Sequence, residues 1–191
     1  MLFKYRSIEN YKFVVDIIVN SRLYAAKFSD LNDPMEGYYR YRDGGIPKDL
    51  LEKIDGARSR LRLCSLSRNP DNALMWAHYA NGHRGFVVGV DIDVKTYKLR
   101  RLRYDGPSYV RHAAKHGDEE TAVNVLCHKH EVWAYEDEER VFVSGANYVN
   151  ITLREFILGS RMSTQDESLF KKIVAAHCPH VTVQRSETKS M

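Results

Sequence analysis

The segment 133–143, WAYEDEERVFV, sets Glu136, Asp137, Glu138 and Glu139 in an unbroken row and follows them at once with Arg140 and the apolar run Val141-Phe142-Val143. Val, Phe and Tyr favour a pleated, half-buried strand. The acids therefore stand at the mouth of a core strand, flanked by Trp133 and Tyr135. A carboxylate held there, beside aromatic rings, is placed to do chemistry on a sugar or a cation. The same pattern also describes a solvated acidic turn before an edge strand, with Glu138 pairing Arg140 or Lys129 across a ladder. Spacing alone leaves both readings open.

Two further stretches could wall a cleft with these acids. Phe28-Ser29-Asp30-Leu31-Asn32-Asp33-Pro34 is a short polar loop directly after a strand, a common place for functional side chains. Asn and Asp bond nearby backbone, and Pro34 forces Asp33 out of the helical region, so the loop is at the least a turn. A helix over 71–80 carries Trp76 and Tyr79, with His83 beyond, along one flank and Leu74, Met75 and His78 along the other. That is more aromatic surface than a helix with one buried face needs. It reads either as packed between sheet and loops or as a wall that stacks a ring. Cys127-His128-Lys129-His130 and His177-Cys178-Pro179-His180 hold zinc-ligand types, but their spacing matches no finger pattern, and on a helix residues 127, 128 and 130 point apart. No GxSxG, GxGxxG or Walker pattern is present, and Cys64, in a strand, reads as a small buried hydrophobe.

The elements that must position these groups follow from periodicity. Leu2-Phe3-Lys4-Tyr5-Arg6 alternates as a first strand. Ser7 reads as an N-cap, and Ile8, Tyr11, Val14, Val15, Ile18 and Val19 keep a helical period to about residue 20. Residues 22–26 form a second short strand, 37–42 is extended or irregular, and Gly44-Gly45 breaks the chain. Pro47 opens a helix that ends near Arg60, and 61–67 alternates as a half-buried strand. Asn69 caps the 71–80 helix with Pro70 at its first position, and Gly82 stops it. A central strand over 85–91 and a strand over 97–104 come next, then a polar, His-containing stretch over 108–116. A helix over 119–131 precedes the acidic segment. Residues 151–158 read as a short helix ended by Gly159, 165–176 as another helix and 181–183 as a last strand. Interspersed strands and helices without strict alternation predict a single α+β domain over 1–184, its sheet mixed or mainly antiparallel and flanked by helices. A flexible polar tail over 185–191 follows.

Composition bounds the class. The 191 residues, 43% hydrophobic and 28% charged, suit one globular domain with a real core. A formal charge of +4 is a mild bias. Arg58, Arg60 and Arg62, and Lys98, Arg100, Arg101 and Arg103, cluster as solvated faces or as a phosphate-contacting surface. No apolar run is long enough to span a membrane, the N-terminus has no leader pattern, and Cys64, Cys127 and Cys178 are far apart without a CxxC. These point to a cytoplasmic protein with reduced thiols.

Taken in order, LFKYRS, RLYAAKFSDLNDPMEG, LCSLS, MWAHYANGHRGFVVGVD, RYDG, KHEVWAYEDEER and ITLREFILGSR resemble a widespread bacterial family catalogued as a domain of unknown function, number two-nine-seven-one. The resemblance covers nearly the whole chain and implies a place in phage-defence or mobile-element neighbourhoods. More distantly, the chain resembles ADP-ribosyltransferase-like folds. That resemblance implies that Arg6 holds the adenosine-side ribose or phosphate, and that Tyr24, with Ser29 as the alternative, stacks on nicotinamide. It gives Glu138, with Glu136 as the alternative, the nicotinamide ribose and the oxocarbenium-like transition state. The chain departs from that pattern in having no Ser-Thr-Ser stretch and no strand-one histidine.

These readings combine into a cleft walled by Tyr24, Asn32, Asp33, Trp76, Tyr79 and Glu138, with Lys129 and Arg140 supplying cations. The expected ligand is a nucleotide-type small molecule, NAD first, acting as a substrate for ADP-ribose transfer or hydrolysis in a defence or toxin setting. A nucleic acid or a protein is the expected acceptor. A preorganised carboxylate stabilises the positive charge that develops on the sugar, and an arginine neutralises the pyrophosphate. Two rivals stand beside it. One is a non-enzymatic module binding nucleic acid or a partner through Trp76, Tyr79 and the basic strand. The other is a metal-assisted nuclease using Asp33, Glu136 and Glu138.

Overall fold

The structure, a computed structural model, describes residues 1–33, 36–41, 47–110 and 117–187. Pro34, the Gly44-Gly45 break, the stretch 111–116 and positions 188–191 of the expected tail lie outside them. The strands are β1 (Leu2–Arg6), β2 (Arg22–Tyr24), β3 (Ala26–Lys27), β4 (Tyr39–Tyr41), β5 (Leu61–Ser67), β6 (Phe86–Asp91), β7 (Lys98–Arg101), β8 (Ser108–Val110), β9 (Glu138–Ser144), β10 (Tyr148–Asn150), β11 (Thr152–Leu158) and β12 (Thr182–Arg185). The helices are α1 (Tyr11–Asn20), α2 (Lys48–Arg60), α3 (Ala73–Tyr79), α4 (Asp118–Val125) and α5 (Thr164–His177), with short 3-10 turns at Phe28–Asp30 and Glu131–Glu136.

A single α+β domain results. Its large mixed sheet runs β12-β11-β6-β1-β5-β9-β7, with β3 also paired to β5. Among the described residues only β11 and β12 pair in parallel within it. Side chains alternate across a strand, so Leu2 of β1 joins the core beneath α1 and α5 with Ile17, Val88, Val141 and Phe170. Phe3 and Tyr5 go to the other face, against Met75 and Trp76 of α3. On that second face α2 and α4 cover Leu61, Leu63 and Phe142. The small pairs β2–β10 and β4–β8 flank the main sheet.

The sheet splits at β5, and the split shapes the site. The register Phe3↔Ser67 joins β1 to the C-terminal end of β5, while Ala26↔Leu63 joins β3 to its N-terminal half. Both neighbours approach along the same edge, because β9 holds the other edge along its whole length. A gap opens between β1 and β3. Gly85 fixes the end of β1 at that gap: a Cβ there would lie 2.1 Å from the carbonyl oxygen of Arg6, so no side chain fits.

Several elements differ from expectation. The 151–158 segment is strand β11, not a helix, and is hydrogen-bonded to β6 on one side and β12 on the other. A register shift between Leu153 and Glu155 places Leu153 and Phe156 in the same core cluster, three residues apart. That spacing imitates a helical face, and tertiary pairing decides the outcome. Ser7 does not cap α1. Asn10 holds that position without a side-chain bond, and Ser7 accepts from the Glu9 N–H instead. Helix α3 starts two residues later than expected, since Asn72 accepts from the N–H groups of Leu74 and Met75. Arg185 lies in β12 and Ser186 is buried, so the chain stays in the fold past residue 184.

Candidate functional site

A cavity of about 510 Å³ occupies the split, within the size range of small-molecule sites. Its two ends have opposite character. Alternation along β1 sets Lys4 and Arg6 on the face of Leu2, where α1 contributes Phe13. Lys4 Nζ donates to the Ser65 carbonyl at 2.7 Å. The Arg6 guanidinium lies 5.5 Å from the Phe13 ring centroid, and its Nε is buried without a hydrogen-bond partner. Burial lowers both cations from their ordinary values, partly offset by nearby Cys64 and, at Lys4, by Glu138 and Glu136 as well. Neither forms an ion pair among the described residues.

The other end is built by the acidic segment. Its 3-10 turn ends at Glu136, Asp137 takes the left-handed conformation with φ 41°, and β9 begins at Glu138. This kink brings Glu136 and Glu138 inward together and sends Asp137 out to Arg101. Glu139 faces the opposite side of the sheet, where Arg68 pairs with it. The turn is not solvated, since Glu136, Glu138 and Glu139 are 4%, 3% and 6% exposed, but the expected pairing of Glu138 with Arg140 and Lys129 is present.

Lys129 and Arg140 tie the inward acids together. Lys129 Nζ lies 2.5 Å from Glu136, 3.1 Å from Glu36 and 3.4 Å from Glu138. Arg140, fully buried, donates from Nε to Glu138 at 2.6 Å, from Nη2 to Glu36 at 2.6 Å and from Nη1 to the Leu126 carbonyl at 2.7 Å. The Tyr79 hydroxyl donates to Glu136 at 2.5 Å, Asn32 bonds Tyr79 in turn, and the Glu138 N–H donates to the Tyr104 hydroxyl at 2.7 Å. Charge-assisted bonds of this kind hold the whole group in one geometry.

The two neighbouring carboxyls are driven apart. Burial works to raise Glu138, but Arg140 and then Lys129 outweigh it and hold it at about 2. Burial dominates at Glu136 and pushes it up, with Glu138 repelling and Lys129 offsetting part of the rise. Burial alone would lower Lys129, yet Glu138, Glu36 and Glu136 raise it above its ordinary value. Carboxyls separated in this way can divide fixed-charge and proton-transfer roles between them.

Of the residues singled out from sequence, Arg6, Tyr24, Asn32, Tyr79, Lys129, Glu136 and Glu138 line this cavity. Four do not. Ser29 is exposed and its hydroxyl donates to Asp30. Asp33 is buried in the loop beneath. Arg140 lies behind the carboxylates and positions them rather than reaching the cavity. Trp76 does not wall the cleft: it is 0% exposed, with its indole N–H on the Pro70 carbonyl and its ring packed on Tyr5 and His83. The flank it occupies is core because β1 presents Phe3 and Tyr5 to it. Sequence reasoning missed Glu36 and Lys4. Lys4 was available from the alternation that puts it on the face of Arg6. Glu36, alone in a loop 102 positions before Glu138, carried no local signal.

The rivals meet specific obstacles. The acids converge on two cations, and among the described residues no cluster of His, Cys, Asp and Glu has metal-holding geometry. Cys127 and Cys178 belong to separate core clusters, so the two Cys-His stretches do not meet. Lys98 and Arg100 of the basic strand pair with Glu120, and Arg101 pairs with Asp137. Among the described residues no helix is long and apolar enough to cross a membrane. No protein-family model, curated protein or solved structure matches the chain, so the geometry of the cavity carries the functional reading.

Proposed function

We propose that the cavity binds a nucleotide, NAD being the first candidate, and that the protein cleaves its glycosidic bond, either hydrolysing NAD or transferring ADP-ribose to an acceptor. One observation carries this reading: the cavity is lined both by Arg6, which has no carboxylate partner among the described residues, and by three carboxylates set against Lys129 and Arg140, with Lys4 close to Arg6 and to Glu138 alike. The basic end suits a pyrophosphate. The acid end carries an excess of negative charge in a desolvated setting, which suits a ring cation and the oxocarbenium that follows it. Tyr24, packed on Phe13, and Tyr79, bonded to Glu136, add aromatic surface to the lining. A place in phage defence or as a toxin is carried by the family resemblance alone.

In the reaction, the bond from the ribose anomeric carbon to the ring nitrogen breaks. Its electron pair stays with nitrogen and neutralises the ring charge. Water or an acceptor hydroxyl then bonds to that carbon, and Glu136, the carboxyl pushed upward, takes the released proton. The test incubates purified protein with NAD and follows nicotinamide release by chromatography, with Arg6→Ala and Glu136→Gln beside the wild type. Release by wild type, with Arg6→Ala raising KM and Glu136→Gln losing kcat, is the expected result. No release, with or without cell extract as a source of acceptor, refutes it. Binding to nucleic acid that falls steeply with salt would then favour the non-enzymatic module.

A further inference from the structure

At the acid end each oxygen of Glu136 and Glu138 already has a donor. Glu136 receives Tyr79 and Lys129, and Glu138 receives Arg140 on both oxygens and Lys129 on one. Oε1 of Glu36 faces Arg140 and Lys129. Oε2 of Glu36 is buried and has no hydrogen-bond partner. The residue lines the cavity and is only 8% exposed. A buried carboxylate oxygen without a donor is costly and calls for an explanation. The terminal torsion of Glu is soft and roughly two-fold, so the group can present its vacant lone pairs to the cavity while Arg140 keeps the other oxygen.

We propose that Glu36, rather than Glu138, is the carboxylate that touches the ligand, accepting a hydrogen bond from an O–H or N–H donor at the end remote from the phosphates. This rests on the nucleotide reading above. Glu138 is then a positioning residue, its oxygens committed to Arg140 and Lys129. The donor is a ribose hydroxyl or a group on the ring, and a ligand ladder separates the two. Affinities for ADP, ADP-ribose and NAD are measured by calorimetry on wild type, Glu36→Gln and Glu36→Asp, with circular dichroism confirming that each is folded. The glutamine must keep its amide oxygen toward Arg140 and Lys129, so it offers an N–H where the ligand needs an acceptor.

Wild-type affinity is expected to rise from ADP to the longer ligands. Glu36→Gln should leave ADP unchanged and weaken the longer ligands about tenfold or more. A loss first seen with ADP-ribose assigns the ribose hydroxyl, and a loss confined to NAD assigns the ring. Equal loss on all three ligands, or on none, overturns the assignment. A flat wild-type series overturns it even when neither variant folds. A wild type that binds none of the three overturns the nucleotide reading and this assignment with it.

Discussion

Arg140→Met removes the central cation of the buried network and keeps most of its length. Arg140 is 0% exposed, and its loss strands Glu138 and Glu36 beside a single remaining cation, Lys129. Breaking a buried pair from one side costs about 3–5 kcal/mol. The depression of Glu138 gives a consistent figure: a carboxyl held at about 2 instead of its usual 4.5 corresponds to about 3 kcal/mol. In a domain of this size the melting temperature should fall by roughly 6–20 °C at neutral pH. The pH dependence separates this from a simple packing loss. A depressed carboxyl contributes stability that is fully present above its unfolded value and is lost as pH falls through its folded value. Glu138 therefore stabilises wild type above about pH 4.5 and ceases to do so towards pH 2. Without Arg140 only Lys129 and Ser65 remain to hold Glu138 down and that contribution shrinks, so the deficit is largest at pH 7 and narrows across this window. Urea unfolding followed by circular dichroism at pH 7, 4 and 3 measures it. A deficit below about 1 kcal/mol at pH 7, or one that stays constant into acid, refutes the electrostatic account. Replacing Glu138 by Leu in the same chain should recover part of the loss.

The remaining predictions concern the cavity walls. Glu136 has the opposite sign to Glu138: its folded value is raised, so it costs stability as pH climbs above the unfolded value. Glu136→Gln should therefore be at least as stable as wild type at pH 8 relative to pH 5 in paired thermal melts, while nicotinamide release falls about a hundredfold or more. Tyr79→Phe removes the hydroxyl that donates to Glu136 and should move the acidic limb of the pH–rate profile up by about one pH unit; an unmoved limb would separate Tyr79 from the titrating group. Trp76→Ala should cost about 3–5 kcal/mol of unfolding free energy without changing nucleotide affinity of the folded fraction in calorimetry, as its burial against Tyr5 and His83 requires.

What could be read from the sequence depended on how local the determining force is. Alternation located β1 and β5 because a half-buried strand repeats every two residues, and an unbroken apolar run located β6, which is buried on both faces. It failed at β11, where a bulge moves Leu153 and Phe156 onto one face. The acidic segment was recognised, but its burial was not. Four acids in a row look solvated, yet Glu136 and Glu138 are admitted by Lys129, before the 3-10 turn, and Arg140, within the strand, and Glu139 by Arg68. Trp76 misled because an aromatic residue on a helix gives no sign of which flank meets the sheet. Glu36 was out of reach: its role depends on a contact with Arg140 across 104 positions, and no short pattern encodes that.

The split in the sheet also explains why charge gathers there. Between Phe3↔Ser67 and Ala26↔Leu63 no strand among the described residues pairs with that edge of β5, and its backbone groups need other partners. Lys4 Nζ supplies one by donating to the Ser65 carbonyl, and the Ser65 side chain in turn bonds Glu138. A gap in a buried sheet recruits polar side chains before any ligand arrives, and each one recruited needs a counter-charge. Structural duty thus accounts for Lys4, Glu138 and Arg140. What it leaves over is Arg6, with a buried Nε unpartnered, and Glu36, with a carboxylate oxygen unpartnered. They belong to opposite ends of one cavity, a donor at one and an acceptor at the other, and a ligand carrying an anion and a hydrogen-bond donor satisfies both at once.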